Sequence, residues 1–326
     1  TTADPKNTWD GITLVVNETY RQKRGTVCTL PAGSAKYIHA NILASNPLTP
    51  LTLEAYYYSD GTDEPSLPRP EIFSNVTTNG VGTILLRSSS NVLIQNLKIA
   101  TAPQSTYLLV GVKIWARTAG VFSGVTVRNC EITGHDYGIS PTLSSTDAGA
   151  ELTDITLEGN DIHDNIGGIV AVFEAPLTNY IRRYRVLNNK VHHNGQNWRA
   201  NVVLGGILHK YPSSGTDPTR AYKDVIVDGN EVWDNEGYSI SLYNVYNETF
   251  MSRVSRNHVH DNNQSEAFDS HSIFVARSFG VVVEENLIEN NSGYAAGPHG
   301  TACGVLIDTD ATINEGGDGC IVRRNV

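Results

Sequence analysis

The chain alternates short apolar runs with polar positions, and Asn, Gly and Asp separate the runs. Val, Ile and Leu occupy every second position over short stretches, which is the period of a β-strand with one buried face. No stretch of helical periodicity interrupts this pattern after residue 90. The pattern therefore predicts an all-β fold composed of many short strands.

One hexapeptide template, N-x-[IV]-x-x-N, recurs along the middle of the chain. Its copies begin 29, 41, 27 and 29 residues apart, at Asn160, Asn189, Asn230, Asn257 and Asn286. A period of this size indicates stacked supersecondary units. Strands repeated in one direction stack on their counterparts one coil away, at about 4.8 Å. We therefore predict a single-stranded right-handed parallel β-helix, a solenoid, with the asparagines aligned as a side-chain ladder at one corner.

The repeat predicts one elongated domain over residues 1–326, because each coil buries the faces of its neighbours. Regular coils are expected over 90–326, with Leu97 and Cys130 in the asparagine slot of the first coils and Asn325 in the last. Residues 1–60 do not follow the pattern and are predicted to form an irregular first coil and cap. The segments 195–223 and 291–319 exceed the regular coil length, and such insertions often carry binding function.

The strand that follows each template gives a register for the outer surface. If the Val or Ile after its first Gly or Ser points inward, every second residue from there also points inward and the alternate ones point outward. The predicted exposed column is Trp115, Thr142, Val172, Lys210, Tyr243, Ala276 and Asp308. A flat row of aromatic and charged side chains suits a linear polymer.

Composition agrees with a folded, extracellular protein. The chain is 40% hydrophobic and 18% charged, as in globular domains, and no apolar run approaches the roughly 20 residues of a membrane span. Its start, Thr1-Thr2-Ala3, lacks a charged and apolar leader and looks processed. Sequons at Asn17, Asn75, Asn247, Asn263 and Asn290 agree with secretion. Cys303 and Cys320 either pair across a Gly/Asp-rich loop or remain buried thiols.

Positive charge is concentrated in one segment of an acidic chain. Between Tyr180 and Lys223, eight basic residues face a single acid, Asp217, which gives +7 in a chain of net charge −10. This asymmetry predicts an anionic ligand held in one place. Nucleic acid is excluded as a partner, because the rest of the surface would repel a long phosphate backbone. The alternative is that these arginines pair with acids of adjacent coils.

Lys210 and Tyr243 occupy the same outward slot on consecutive coils and are the predicted catalytic pair. β-Elimination of a uronate requires a base for the proton beside the carboxylate, and a lysine among other cations can supply it. A tyrosine can protonate the leaving oxygen or exchange roles with the lysine. Arginines would clamp the carboxylate. The predicted substrate-binding residues are Arg277, Arg199, Arg182, Arg185, Trp115, Tyr211 and His209, of which His209 is inward by parity. The alternative is that Lys210 and Tyr243 are ordinary surface residues.

The sequence contains no set of residues with a spacing that is diagnostic of a metal site. His163, His192 and His260 share a repeat slot that Trp233 and Glu289 fill in other coils, so a repeat position explains them without zinc. No cofactor is assigned. Calcium remains an open alternative as a cofactor. Five acidic residues could provide its oxygen ligands, although they lack the spacing of a calcium-binding loop: Asp261, Glu266, Asp269, Asp308 and Asp310.

The template coils, the Gly-Ile start of the following strand and the basic middle segment resemble the parallel β-helix polysaccharide lyases. The alginate and chondroitin lyase groups, which use Lys plus Arg or Lys plus Tyr, are the most similar. The resemblance covers 90–326 as architecture, and only Lys210, Tyr243 and Arg277 carry over, by position in the coil. The alginate epimerases are less similar, because their Asp-Tyr-Gly-Phe-Asp motif appears here as Asp136-Tyr137-Gly138-Ile139-Ser140 without the second carboxylate.

We therefore predict a secreted, monomeric lyase that cleaves an acidic, uronate-containing polysaccharide, with alginate as the favoured substrate and no membrane partner. A glycoside hydrolase of the same fold is the alternative enzyme. It would need two facing carboxylates, whereas Asp308 and Glu174 are several coils apart. A non-catalytic binder of the tail-spike or adhesin type is the third hypothesis, and no coiled-coil segment for trimerisation supports it.

Overall fold

The protein is all-β over the part of the chain that the structure describes. The structure, a computed structural model, describes residues 18–30, 38–41, 48–56, 64–76, 81–102, 108–144, 149–173, 179–195, 205–210, 221–262, 271–292, 303–308 and 319–326. Its regular elements are strands, and none of the described residues forms a helix with the length and hydropathy that crossing a bilayer requires. The strands assemble into three parallel sheets that the chain visits in a fixed order.

Each sheet is a stack of short parallel strands from successive coils. The first sheet contains Thr19–Lys23, Leu51–Tyr56, Val92–Gln95, Gly120–Arg128, Ala150–Glu158, Tyr180–Leu187, Tyr222–Asp228, Val245–Tyr246, Arg253–Ser255, Val282–Glu284 and Ile321–Arg323. The second sheet contains Val27–Leu30, Glu71–Ser74, Lys98–Thr101, Glu131–Thr133, Asp161–His163, Lys190–His192, Glu231–Trp233, His258–His260 and Leu287–Glu289. The third sheet contains Ile38–Asn41, Val81–Arg87, Leu109–Ala116, Tyr137–Leu143, Gly167–Phe173, Gly205–Lys210, Tyr238–Tyr243, His271–Ala276 and Cys303–Asp308. This arrangement confirms the predicted parallel β-helix.

Two asparagine ladders, rather than the single one predicted, bracket the second sheet. In the first, each side-chain amide donates to the carbonyl oxygen of the next asparagine, at 2.9 Å from Asn160 to Asn189 and 2.8 Å from Asn286 to Asn325. In the second, formed by the last residue of each template, Asn165 donates to Asn194 at 3.2 Å and Asn262 to Asn291 at 2.8 Å. Both ladders also bond to backbone groups of neighbouring coils, so buried polar groups at both corners are satisfied.

The interior of the solenoid is a continuous column of aliphatic side chains. Stacked positions such as Ile162, Val191 and Val232 are fully buried and lie opposite one another on consecutive strands. The register follows from period two, because a one-residue slip would turn every apolar residue outward. The aromatic rings of Phe173, Tyr184, His209 and Tyr222 interrupt the aliphatic column in the middle coils.

The N-terminal segment is more regular than the sequence predicted. The strands Thr19–Lys23, Val27–Leu30, Ile38–Asn41 and Leu51–Tyr56 join the three sheets in the usual order. The prediction of an irregular cap is therefore wrong for the described part of residues 1–60. The pairing of Cys28 with Ile72 and of Leu53 with Ile94 aligns buried apolar side chains across coils, although the asparagine template is missing there.

The two predicted insertions surround ordinary strands. Gly205–Lys210 and Cys303–Asp308, which lie inside 195–223 and 291–319, are regular strands of the third sheet. The extra length is therefore divided between connections on either side of that sheet. Residues 164–166 make the link from the second to the third sheet in one coil, whereas 193–204 make it in the next.

Candidate functional site

The outer face of the third sheet follows the predicted register. Thr142 pairs with Trp115 and with Val172, and Val172 pairs with Lys210. Tyr243 pairs with Ala276, which pairs with Asp308. Leu208 pairs with Ser241, so two further steps along both strands place the Lys210 and Tyr243 backbones at adjacent positions.

The sequence predicted that this column is exposed along its whole length, and that prediction is wrong for part of it. Thr142, Val172 and Ala276 are buried, with 6%, 7% and 1% of their surface accessible. Val172 belongs to an apolar cluster on the outer face that also contains Val110, Tyr137, Val170 and Leu208. Outward apolar side chains pack against one another there because their burial is favourable. The polar part of the column is thereby divided into two places, one at Trp115 and one at Tyr243.

Tyr243 is surrounded by charged and aromatic groups from two adjacent coils. Its ring meets Phe274 edge to face at a centroid distance of 5.2 Å. Burial, together with the neighbouring Tyr238 and Asp308, raises the pKa of the Tyr243 hydroxyl well above its usual range, and Arg277 acts in the opposite direction. The Arg277 backbone N–H donates to the Asp308 carbonyl oxygen at 3.3 Å. A phenol in this setting keeps its proton at neutral pH and can donate it.

Trp115 is the centre of a cationic cluster, of which the sequence predicted only Trp115 itself. Arg87, Lys113 and Arg117 have their charged groups 5.0, 4.4 and 4.9 Å from the indole ring. The indole N–H donates to Ser144 Oγ at 2.6 Å, which fixes the ring. Arg87 Nε is buried without a hydrogen-bond partner in the described part of the chain. Arg87 pairs with Trp115 on the adjacent strand. The sequence did not predict this pairing, because the repeat was recognised only from residue 90 onward.

The described basic residues of the segment 180–223 do not form one site. Arg182 and Arg185 lie on the first sheet, so the structure does not bring these two predicted ligands to Tyr243. Arg182 forms ion pairs with Glu151 and Glu248. Lys223 also pairs with Glu248, at 3.0 Å. The segment crosses from the first sheet to the third and back, so its charges are distributed over different faces and partly neutralised by adjacent coils.

His209 faces the interior, as its parity indicated, and its assignment as a substrate contact is wrong for a ligand on the outer face. Only 2% of the residue is accessible, and its ring stacks on Tyr222 at 4.2 Å. Neither ring nitrogen has a hydrogen-bond partner among the described groups. Burial lowers the pKa of His209 to about 3, so the imidazole is neutral.

Several predicted residues lie outside the described part of the chain. They are Arg199 and Tyr211, the calcium candidates Glu266, Asp269 and Asp310, and the side chains of Lys210 and Cys303. Of the remaining calcium candidates, Asp261 accepts a hydrogen bond from His260 at 2.8 Å on the second sheet, and Asp308 lies on the third. Calcium binding and the Cys303–Cys320 alternatives stay predictions.

The repeat-slot histidines form a stacked column on the second sheet. His163 stacks on His192 at 5.1 Å, and His192 stacks on Trp233 at 4.1 Å. Glu131 and Asp164, whose oxygens lie 3.8 and 2.7 Å from the two His163 ring nitrogens, raise the pKa of His163 to about 9. The repeat-position interpretation of these residues agrees with this column.

The variant His163→Gln is expected to lose stability in a pH-dependent way. A raised histidine pKa contributes stability that is complete below about pH 6.5 and is lost as the pH rises through about 9. The wild type should exceed the variant by about 1–2 kcal/mol at pH 6, after allowance for solvent screening, and by much less at pH 9.5. Urea unfolding at both pH values measures the difference. A gap independent of pH would contradict the prediction.

The geometry defines a parallel β-helix whose third sheet carries an aromatic and cationic outer face. The chain belongs to the family described as the right handed beta helix region, whose model matches residues 110–314, more than half of the 326 residues. No curated protein sequence matches the chain.

Similar solved structures share this fold at low identity. The GH136 lacto-N-biosidase from Eubacterium ramulus is 13% identical over 97% of this chain and 62% of its own, with a TM-score of 0.48. This chain thus spans less than two thirds of that protein. Pectate lyase Pel9A is 11% identical over 87% of this chain and 73% of its own, with a TM-score of 0.42. The periplasmic alginate epimerase AlgG, as a double mutant, is 15% identical over 97% of this chain and 78% of its own, with a TM-score of 0.38. These similarities concern the fold and carry no argument about activity.

Proposed function

We propose that this protein is an extracellular enzyme that binds an acidic, uronate-containing polysaccharide along its third sheet and cleaves it by β-elimination, with alginate as the favoured substrate. The observation that carries the proposal is the outer-face column, which has a cationic aromatic cluster at Trp115 and a half-buried tyrosine beside an arginine at Tyr243. Both places lie on one sheet, four strands apart. At about 4.8 Å per strand they are roughly 19 Å from each other, a distance that a short oligosaccharide spans.

The cluster around Trp115 supports an anionic polymer as the ligand. An indole face offers the apolar surface on which a sugar ring packs, and three cations close to it favour carboxylates. Within the described part of the chain, Arg87 Nε is buried beside this ring without a hydrogen-bond partner, so the cluster offers a donor for a carboxylate. The first-sheet arginines, which already have acidic partners, are weaker candidates for the same role.

The surroundings of Tyr243 support the role of proton donor. In β-elimination, Lys210 as a neutral amine would remove the proton at C5. The electron pair of the broken C5–H bond would form the C4–C5 double bond, while the C4–O bond breaks and its electron pair leaves with the oxygen. The Tyr243 hydroxyl would give its proton to the departing oxygen. Its raised pKa favours this direction over service as the base. Arg277 would hold the uronate carboxylate and stabilise the charge that develops on it.

The proposal is tested by incubating the protein with alginate, pectate and hyaluronan and following the ultraviolet absorbance of the unsaturated product. We expect absorbance to rise with one of these polymers. Lys210→Ala and Tyr243→Phe should each lower kcat by about 10²–10⁴-fold, the contribution of a positioned acid or base. Arg277→Ala should lower kcat and raise KM.

Two matched variants separate chemistry from general damage. Lys190→Ala removes an exposed lysine of the second sheet, and Tyr180→Phe removes a hydroxyl from the first sheet. Both should retain wild-type rates. Reducing ends without absorbance would indicate a hydrolase, and binding without either signal would indicate a non-catalytic binder. Full activity in Lys210→Ala would remove Lys210 from the mechanism.

A further inference from the structure

Two histidines and two glutamates form a compact group on the outer face of the second sheet. Glu231 pairs with His258, and His260 pairs with Glu289, on three consecutive strands. One donor atom from each of Glu231, His258 and His260 lies within 4.8 Å of the others. The two imidazole centroids are 4.0 Å apart. Tetrahedral coordination at zinc-like bond lengths needs donors roughly 3.3 Å apart, which small side-chain rotations would provide.

The hydrogen bonds of His260 leave one nitrogen directed at this group. Its Nδ1 pairs with Asp261 Oδ2 at 2.8 Å. Its Nε2 is buried, has no hydrogen-bond partner in the described structure, and lies 3.6 Å from Glu231 Oε1. A metal-binding histidine usually donates its other ring N–H to a carboxylate, which fixes the ring and makes the metal-binding nitrogen more basic. His258 is held in the same way, with Nε2 2.9 Å from Glu289 Oε1.

Another coil of the same sheet provides an internal comparison. His163 occupies the slot of His260, with Asp164 at 2.7 Å from Nδ1 and Glu131 at 3.8 Å from Nε2. What differs is the residue two positions earlier, which is Asp161 in that coil and His258 in the other. The repeat therefore explains one histidine with two acids, and it does not explain the second imidazole. A divalent cation at this place would coordinate both imidazoles and a carboxylate together.

We propose that Glu231, His258 and His260 bind a zinc-type transition-metal cation, with the Glu289 carboxylate adjacent, and that the ion links two successive coils of the solenoid. Imidazole and carboxylate donors suit zinc and its first-row neighbours. Calcium prefers a shell of oxygen atoms and is a poor match for two imidazoles. This site is separate from the third sheet, so its test does not depend on the proposed lyase activity.

The test is isothermal titration of zinc chloride into full-length protein that has been treated with EDTA and desalted, at pH 7.5. We expect one saturable site that calcium chloride does not occupy. His258→Gln and His260→Gln should each weaken zinc binding by at least about 100-fold, more than the loss of an outer-shell partner. Zinc should also raise the thermal unfolding midpoint of the wild type, because it binds the folded state. Cobalt chloride should give visible absorption of a low-coordinate site in the wild type alone.

The control variant is His163→Gln, which removes the equivalent histidine of the coil without a second imidazole. It should bind zinc as the wild type does. Absence of a saturable site would overturn the proposal, and so would equal zinc affinity in the wild type and both variants. An equal loss in His163→Gln would indicate unspecific binding along the histidine column. Circular dichroism without metal verifies that each variant is folded.

Discussion

Replacing Asn230 by alanine is expected to lower the free energy of unfolding by about 3–5 kcal/mol, since each buried polar group left unsatisfied costs about 1–3 kcal/mol. Asn230 is 1% accessible and lies in the middle of the first ladder. Its oxygen accepts from both the backbone and side-chain N–H of Asn189, at 2.9 Å each. Its amide donates to Val186 O at 3.0 Å and to Asn257 Oδ1 at 2.9 Å. Urea unfolding followed by circular dichroism measures the loss.

The matched control is Asn325→Ala at the end of the same ladder. Asn325 accepts from Asn286 and donates to Val283 O, but no further asparagine follows it in the described chain. Its partners are only partly buried, so water replaces the lost bonds, and we expect a cost of about 1 kcal/mol. Equal losses at Asn230 and Asn325 would mean that burial within the ladder contributes nothing, and would contradict this account of the stack.

The second large effect expected is on acid stability, through His209. A histidine with a folded pKa of about 3 contributes stability that is present above about pH 6.5 and is lost as the pH falls toward 3, because only the unfolded chain takes up the proton. Between pH 6.5 and 4.5 this amounts to about 2.7 kcal/mol. His209→Phe keeps a ring of similar shape and should remove that part of the pH dependence. It should cost little at pH 7, because both ring nitrogens lack partners.

Tyr184→Phe is the control for His209→Phe. Its hydroxyl is also buried without a partner and its ring lies 5.8 Å from His209, but burial raises the pKa of the phenol, so it takes up no proton in acid. Urea unfolding at pH 7, 5.5 and 4.5 should give the wild-type pH slope for Tyr184→Phe and a shallower slope for His209→Phe. Unchanged slopes in both would contradict the assignment.

The fold could be predicted from sequence because the signal is periodic. An asparagine with [IV] two positions later has to recur once per coil for its amide to bond to the next, so Asn160, Asn189 and Asn230 carry both the period and the architecture. The second ladder could also have been predicted, because the last residue of the same template is an asparagine in every copy. The regular first coils were missed, because apolar pairs such as Cys28 with Ile72 stack without any asparagine beside them.

The candidate site was predictable only where register alone determines it. Counting from Gly or Ser gave the alignment of Trp115 with Thr142 and of Tyr243 with Ala276, which the structure confirms. Whether an outward residue is exposed depends on its neighbours, and the apolar cluster around Val172 could not be inferred from parity. Net charge also failed as a guide, because Arg182 and Lys223 have acidic partners from other coils that are distant in sequence.

The first asparagine ladder keeps the same contact distance across coils of very different length. The amide contact is 2.9 Å from Asn160 to Asn189, from Asn189 to Asn230 and from Asn230 to Asn257, although the coils between them contain 29, 41 and 27 residues. In these coils the described strands keep their pairing, and the additional residues fall in the segments that connect the third sheet to its neighbours. Segments beside the proposed site can therefore lengthen and diverge in evolution at little thermodynamic cost, which leaves substrate preference free to change while the scaffold is inherited intact.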